Sequence, residues 1–351
     1  MLDDACFSAT PFTVMADQDS SKHWAGRAKE LKRIDRILKR LSRRNESSLD
    51  IVWAKLGAGK SHTLYYLAHR IEKQDEGCLC VVVEIPEQIR KFRDLYVRII
   101  KNIPLDRLAK TLLEAGADAL PEDLRRAAHA IVHGGQLERN FASQWLRGER
   151  PDLRQLRKAT GIGNRIESDA DAAEIFSSVL GGLRSGGARV YLMLDEFQRI
   201  DKLPVRIRSP ITATLRSLLS RNPRDFSVFL AISSMMEQSA LMMVPEELKS
   251  IMGMQASVTL PEMDEDEAVE FVRGRLEHFR PPEYSGDEFA PFGREAVVQG
   301  IKMIARADTA NLIPRTILQV MGVLYDDTPR SGEMLDADSV VEILEDLNWD
   351  G

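Results

Sequence analysis

Ile51-Val52-Trp53-Ala54-Lys55-Leu56-Gly57-Ala58-Gly59-Lys60-Ser61-His62 decides how the rest of the chain is read. An apolar, β-branched run passes through two glycines into Lys-Ser and on into SHTLYYLAHRIEK, whose apolar residues recur at helical spacing. Strand, glycine-rich turn and helix in that order make an anion cradle. Gly57 and Gly59 let successive backbone N–H groups converge on one set of oxygens, and the following helix adds the positive end of its dipole. Lys60 brings a cation to the same place, and Ser61 a hydroxyl able to ligate a metal.

Working outward, five short runs rich in β-branched or aromatic residues read as strands: Leu49 to Trp53, Leu79 to Glu84, Val190 to Leu194, Phe226 to Ile232 and Ser257 to Leu260. Most are continuously apolar, the pattern of a parallel sheet covered on both faces by helices. The stretches LKRIDRILKRL, before the first of them, and ITATLRSLLSR, between the third and fourth, supply helical periodicity. The expected class is α/β, an αβα sandwich around a five-stranded parallel sheet. After Pro261 no strand pattern remains, and the chain reads as helices, two of them entered through Asp264 and Asp336 as N-caps. The expected division is an N-terminal arm over 1–23, with little periodicity and expected to be mobile, an α/β core over 24–260 and a helical domain over 261–351. Residues from about 104 to 171 form a helical insert within the core, too long for a plain connection.

The 351 residues, 44% of them hydrophobic, suffice for a sizeable core in two packing units. No apolar run reaches the roughly 18 to 20 residues of a membrane helix, and MLDDACFSATPF lacks the basic-then-apolar order of a signal peptide, so a cytoplasmic protein without membrane contact is expected. Cys6, Cys78 and Cys80 are too few for a disulfide framework and read as free thiols. The net charge of −6 hides an asymmetry: Lys22 to Arg44 is strongly basic and the C-terminal third is acidic. Such a basic segment is either a solvated helix face or a surface for nucleic acid or an acidic neighbour.

VYLMLDEFQ places two carboxylates, Asp195 and Glu196, at the tip of an apolar strand. With the cradle upstream, the pair resembles the Walker B motif of hydrolysing P-loop enzymes, and the cradle resembles their Walker A loop, with Ala54 where the first glycine usually stands. The resemblance implies ATP and Mg²⁺ as cofactors, with Gly57, Ala58, Gly59, Lys60, Ser61 and His62 around the nucleotide and Ser61 and Asp195 on the metal. Glu196 is then the base for the attacking water. FSVFLAISS ends in Ser233 and Ser234 one strand later, where AAA+ proteins keep a polar sensor, and Ser233 is the first polar group past the apolar run. NLIPRTILQV sets Arg315 just after Pro314 at a helix start, and resembles the second AAA+ sensor, an arginine reaching the γ-phosphate from the lid. Trp24-Ala25-Gly26-Arg27-Ala28-Lys29-Glu30-Leu31 resembles the segment that lies against adenine in the initiator group, which makes Gly26 and Arg27 cofactor-binding residues.

The order of these motifs, spread over nearly the whole chain, is that of AAA+ ATPases of the origin-recognition and helicase-loader group. Two features depart from it. Where the group carries a Ser-Arg pair whose arginine enters the neighbouring subunit's site, this chain has Ser250-Ile251, with Lys249 as the nearest cation. The insert also carries Gln144-Trp145-Leu146-Arg147-Gly148-Glu149 and then Arg150, Arg154, Arg157, Lys158 and Arg165, and resembles P-loop ATPases of bacterial phage-defence systems of the BREX type. Trp145 there serves either packing or stacking. The resemblance implies an ATP-hydrolysing switch, a DNA-associated loader or regulator in anti-phage defence. It also implies subunits packed head to tail, so a homo-oligomer or a complex with a protein effector is expected. The alternative function is a low-turnover, ATP-dependent assembly scaffold that recruits a protein effector without binding DNA.

Overall fold

The computed structural model describes residues 7–15, 20–116, 120–251, 257–307, 311–328 and 333–346. Cys6 lies outside them. The strands are β1 (Leu49–Ala54), β2 (Leu79–Glu84), β3 (Val190–Asp195), β4 (Phe226–Ser233) and β5 (Val258–Leu260), in one sheet of order β2-β3-β4-β1-β5. Pairing is parallel, in register from Leu79 opposite Val190 to Glu84 opposite Asp195, and from Val190 opposite Phe226 to Leu194 opposite Leu230. The carboxyl ends of β2, β3 and β4 therefore finish together. All of β3 is buried, and so is β4 up to Ser233, as continuously apolar strands covered on both faces must be. The edge strand β2 instead alternates between buried and half-buried residues and ends in the exposed Glu84. Ser257 ends up outside β5; its hydroxyl donates to Asp50 Oδ1 at 2.6 Å and accepts the Ile51 N–H at 3.3 Å.

Two helices follow the N-terminal stretch and the first strand, α1 (Ala28–Arg43) and α2 (Lys60–Gln74). By internal contacts the chain separates into two units, one of Met1–Arg36, Ala54–Tyr66 and Val258–Gly351, the other of Ile37–Trp53 and Leu67–Ser257.

The larger unit carries α3 (Phe92–Lys101), α4 (Leu105–Glu114), α5 (Glu122–His133), α6 (Gln136–Leu146), α7 (Leu153–Thr160), α8 (Asp169–Ser185), α9 (Gln198–Asp201), α10 (Val205–Arg221), α11 (Glu237–Met242) and α12 (Glu246–Lys249). Tyr96 meets Phe176 edge-on at 6.3 Å, and Phe176 meets Phe226 at 6.4 Å, which ties α3 and α8 to the sheet. The helical pattern over NFASQWLRGERPDLRQLRKATGI breaks into α6 and α7. Gly148 takes a left-handed φ of +68°, where a Cβ would stand 3.1 Å from Val97, and Pro151 follows. Trp145 is packing: it is buried, and its indole N–H donates to Asn164 O at 2.6 Å. Cys78 and Cys80 are free thiols. The hydrogen bond to Cys78 and burial push the Cys80 thiol up, so it stays protonated and unreactive.

The smaller unit holds α13 (Glu265–Phe279), α14 (Arg294–Arg306), α15 (Pro314–Asp326) and α16 (Ala337–Asp346). Asp264 caps α13 by accepting the Glu267 N–H at 2.8 Å, and Asp336 accepts the Ser339 N–H at 2.9 Å. The segment 7–15, expected to be mobile, sends Phe12 into this core against Phe292 at 5.8 Å, while Ser8 N–H donates to Phe279 O at 2.7 Å. An aromatic ring can bury enough apolar area to hold a stretch that has no periodicity of its own. Among the described residues no helix is long and apolar enough to cross a membrane.

Candidate functional site

In the smaller unit, β1 hands over at Ala54 to a turn that ends where α2 begins, at Lys60. Ala54 is still a strand residue, so its Cβ is tolerated where a glycine is usual. Gly57 and Gly59 take φ of +80° and +96°, and the Ala58 N–H closes the turn on Lys55 O at 3.2 Å. Gly57 is required twice over. Besides its left-handed backbone, a Cβ there would lie 3.1 Å from Arg315 Cβ and from Ile313 Cδ1. Pro314 opens α15, and the Arg315 N–H donates to Gly57 O at 3.2 Å while the Arg315 side chain is exposed. Lys60 is buried at the first position of α2, followed by Ser61 and His62 in its first turn.

Beside this turn runs the segment from Trp24. Its indole ring lies 5.9 Å from His62 and 5.2 Å from Tyr66, and the last two rings are nearly parallel. Gly26 and Arg27 are both left-handed, at φ of +60° and +49°; a Cβ on Gly26 would meet Glu267 O and Phe271 Cβ at 3.2 Å. Arg27 is buried, and its guanidinium donates to Ala58 O and to Pro261 O at 2.6 Å each. Burial lowers its pKa to about 10, against the pull of Glu30 and Glu267, and leaves it charged at neutral pH.

In the larger unit, Asp195 closes β3 and Glu196 turns out of it at a left-handed φ of +58°, a conformation that a non-glycine residue adopts only at a cost. The Glu196 N–H donates to Asp195 Oδ1 at 2.8 Å. The Glu196 carboxylate accepts from Gln198 Nε2 at 2.6 Å, and Gln198 Oε1 accepts the Ser233 N–H at 2.9 Å. Arg199 Nε stands 3.9 Å from the same carboxylate, and its Nη1 is tied to Glu84 Oε1 at 2.7 Å and to Ile85 O. The strand-tip carboxylates are thus wired to the ends of β2 and β4. Ser233 Oγ is buried without a hydrogen-bond partner, whereas Ser234 Oγ is exposed and donates to Met236 O at 3.0 Å. An unpaired buried hydroxyl is costly, and of the two serines only Ser233 carries one.

Nothing in the sequence pattern marks Gln198 or Arg199. Their bonding to Glu196 depends on the left-handed turn, which no spacing announces.

A family profile for AAA ATPase domains matches residues 23–231. The chain belongs to the AAA ATPase family. No curated protein matches this AAA ATPase in sequence. Among solved structures it is similar to the Aeropyrum pernix ORC2 protein, solved in ADPNP–ADP complexes, with 13% identity and a TM-score of 0.58 over 94% of this chain and 71% of that one. It is also similar to the Aeropyrum pernix ORC1 protein in complex with DNA, with 14% identity and a TM-score of 0.55 over 99% of this chain and 71% of that one. At such identities the likeness is one of fold, the P-loop αβα sandwich followed by helices.

Among the described residues of this AAA ATPase, no group of three or more histidine, cysteine, aspartate or glutamate side chains could cage a metal. Magnesium that shares nucleotide phosphates and water needs no such cage, and the hard oxygens of Ser61 and Asp195 are of the kind it takes.

Proposed function

We propose that this AAA ATPase hydrolyses ATP·Mg²⁺ and uses the cycle as a DNA-associated switch. Lys60 and the N–H groups around Gly57 and Gly59 hold the phosphates, and Ser61 and Asp195 hold the metal, which supplies charge neutralisation. Glu196 takes the proton of the attacking water, and Ser233 and Arg315 sense the γ-phosphate. The observation that carries the hydrolytic reading is the bonding of Glu196: a carboxylate held in a strained turn and oriented by Gln198 is built for a task. Gln198→Leu is expected to lower kcat about tenfold at unchanged ATP affinity, as loss of orientation by roughly 1.4 kcal/mol would. Steady-state ATPase rates beside a nucleotide titration check this; an unchanged kcat removes Gln198 from the site.

Support for a nucleic-acid partner comes from the insert. Arg150, Arg154 and Lys158 are exposed on and just before α7, Arg147 is half-buried, and none of the four has a carboxylate partner among the described residues. A patch of unpaired cations at this density suits a phosphate backbone. A protein of the same fold, Aeropyrum ORC1, was solved with DNA. Binding of a short duplex, followed by anisotropy at several salt concentrations, should weaken at least tenfold in the triple variant Arg150→Glu, Arg154→Glu, Lys158→Glu. The wild type should lose affinity steeply with salt, about 0.9 in log–log slope per phosphate contacted. Equal binding by both proteins, or none by the wild type, rejects the DNA role.

A second reading, the low-turnover scaffold for a protein effector, is favoured by the finger position. Ile251 is exposed there, and Lys249 is held by Glu246 at 2.7 Å. Of the other arginines suited to act on a neighbour, Arg208 is paired to Asp201 at 2.7 Å, while Arg206 and Arg221 are exposed and have no carboxylate partner among the described residues. Nucleotide-dependent assembly with no response to DNA would select this reading. The resemblance to phage-defence ATPases, which includes Trp145, gains nothing from that residue, because its role is packing.

A further inference from the structure

We infer that Arg27 is a positioning residue of the phosphate cradle: it holds the Ala58 carbonyl on one side of the loop so that the Gly59 N–H faces the bound phosphates from the other. This deepens the nucleotide-binding reading above and rests on it. In a trans peptide the C=O of one residue and the N–H of the next point in opposite directions. Arg27 Nη1 reaches Ala58 O at 2.6 Å, so the N–H of Gly59, in the same peptide plane, is turned away from Arg27. A flip of that plane turns the φ of Gly59, which as a left-handed glycine resists it little, so the plane needs something outside the loop to fix it.

The brace is itself anchored. Arg27 Nη2 donates to Pro261 O at 2.6 Å, just past β5, so the planar fork spans two main-chain carbonyls that are far apart in sequence. A Cβ on Gly59 would stand 3.9 Å from Arg27 Nη1, which puts the guanidinium directly against the loop. The backbone that delivers it is strained, with two consecutive left-handed residues, and its Nε is buried without a partner. Burying a cation in this way is unfavourable unless it orders something, and the two carbonyls it orders include one from the cradle. Both terminal nitrogens are thereby committed to main chain, which leaves no fork to read an adenine edge.

The two roles are separable by a ligand without a base. Affinities for ATP, GTP and inorganic tripolyphosphate are measured on the full chain for the wild type, Arg27→Gln and Arg27→Lys, alongside thermal melting. A brace predicts that Arg27→Gln weakens all three ligands by the same factor, about tenfold, with the ATP to GTP preference unchanged. Arg27→Lys, which keeps the charge but presents its donors from one nitrogen instead of a planar fork, should recover part of the loss while melting near the wild type. If Arg27→Gln is poorly folded, the Arg27→Lys series decides alone. Tripolyphosphate affinity within twofold of wild type in the substituted proteins overturns the proposal. If ATP alone weakens, Arg27 is a base contact; if nothing weakens, it only packs. A wild type that binds neither ATP nor tripolyphosphate overturns the nucleotide reading, and the brace with it.

Discussion

Replacing Lys60 with alanine is expected to abolish ATP binding. Lys60 is buried at the first position of α2, where the positive end of the helix dipole lies. Without the ammonium, the β- and γ-phosphates would lose the one side-chain cation that the cradle motif itself provides, and a charge-assisted contact of this kind is among the strongest a protein makes. A calorimetric or fluorescence titration reads the loss directly. An affinity within about twofold of wild type, a difference of only roughly 0.4 kcal/mol, would mean that the turn from Ala54 to Ser61 is not a nucleotide cradle.

Glu196→Gln is expected to do the opposite: keep ATP binding and suppress hydrolysis by about 10²-fold or more. The substitution is clean because of the bonding around it. A glutamine at this position keeps an oxygen that can accept from Gln198 Nε2, so the link through Gln198 Oε1 to the Ser233 N–H persists. What is lost is the ability to take a proton. Single-turnover hydrolysis, measured with bound ATP already in place, isolates that step, and an unchanged rate would reduce Glu196 to a strand-end carboxylate.

The strands were legible because a parallel strand covered on both faces is apolar along its length, as β3 is up to Asp195; the edge strand β2 keeps the apolar run to Val83 although its cover is partial. The helix caps at Asp264 and Asp336 and the start of α15 at Pro314 were legible for a local reason: each is decided by residues within one turn. What escaped was decided across distance. Gln198 meets the Ser233 N–H over 35 positions and Arg27 meets Ala58 O over 31, and no periodicity encodes either. The break between α6 and α7 belongs to the same class, since Gly148 turns left-handed where Val97 and Tyr96 crowd it. Phe12 is another case: an isolated aromatic in an irregular stretch has no pattern to betray where it packs.

The left-handed backbone of Glu196 has a meaning for descent. At a φ of +58° glycine or asparagine would sit more comfortably than glutamate, by about 1 kcal/mol. Selection for stability alone would therefore drive this position away from glutamate, so if Glu196 is the base proposed above, turnover is what holds it in place. Lineages released from the need to hydrolyse should drift there early, gaining robustness as they lose the reaction. On that reading the identity of this one residue serves as a fossil record, separating hydrolysing descendants of this chain from those that have become passive nucleotide binders.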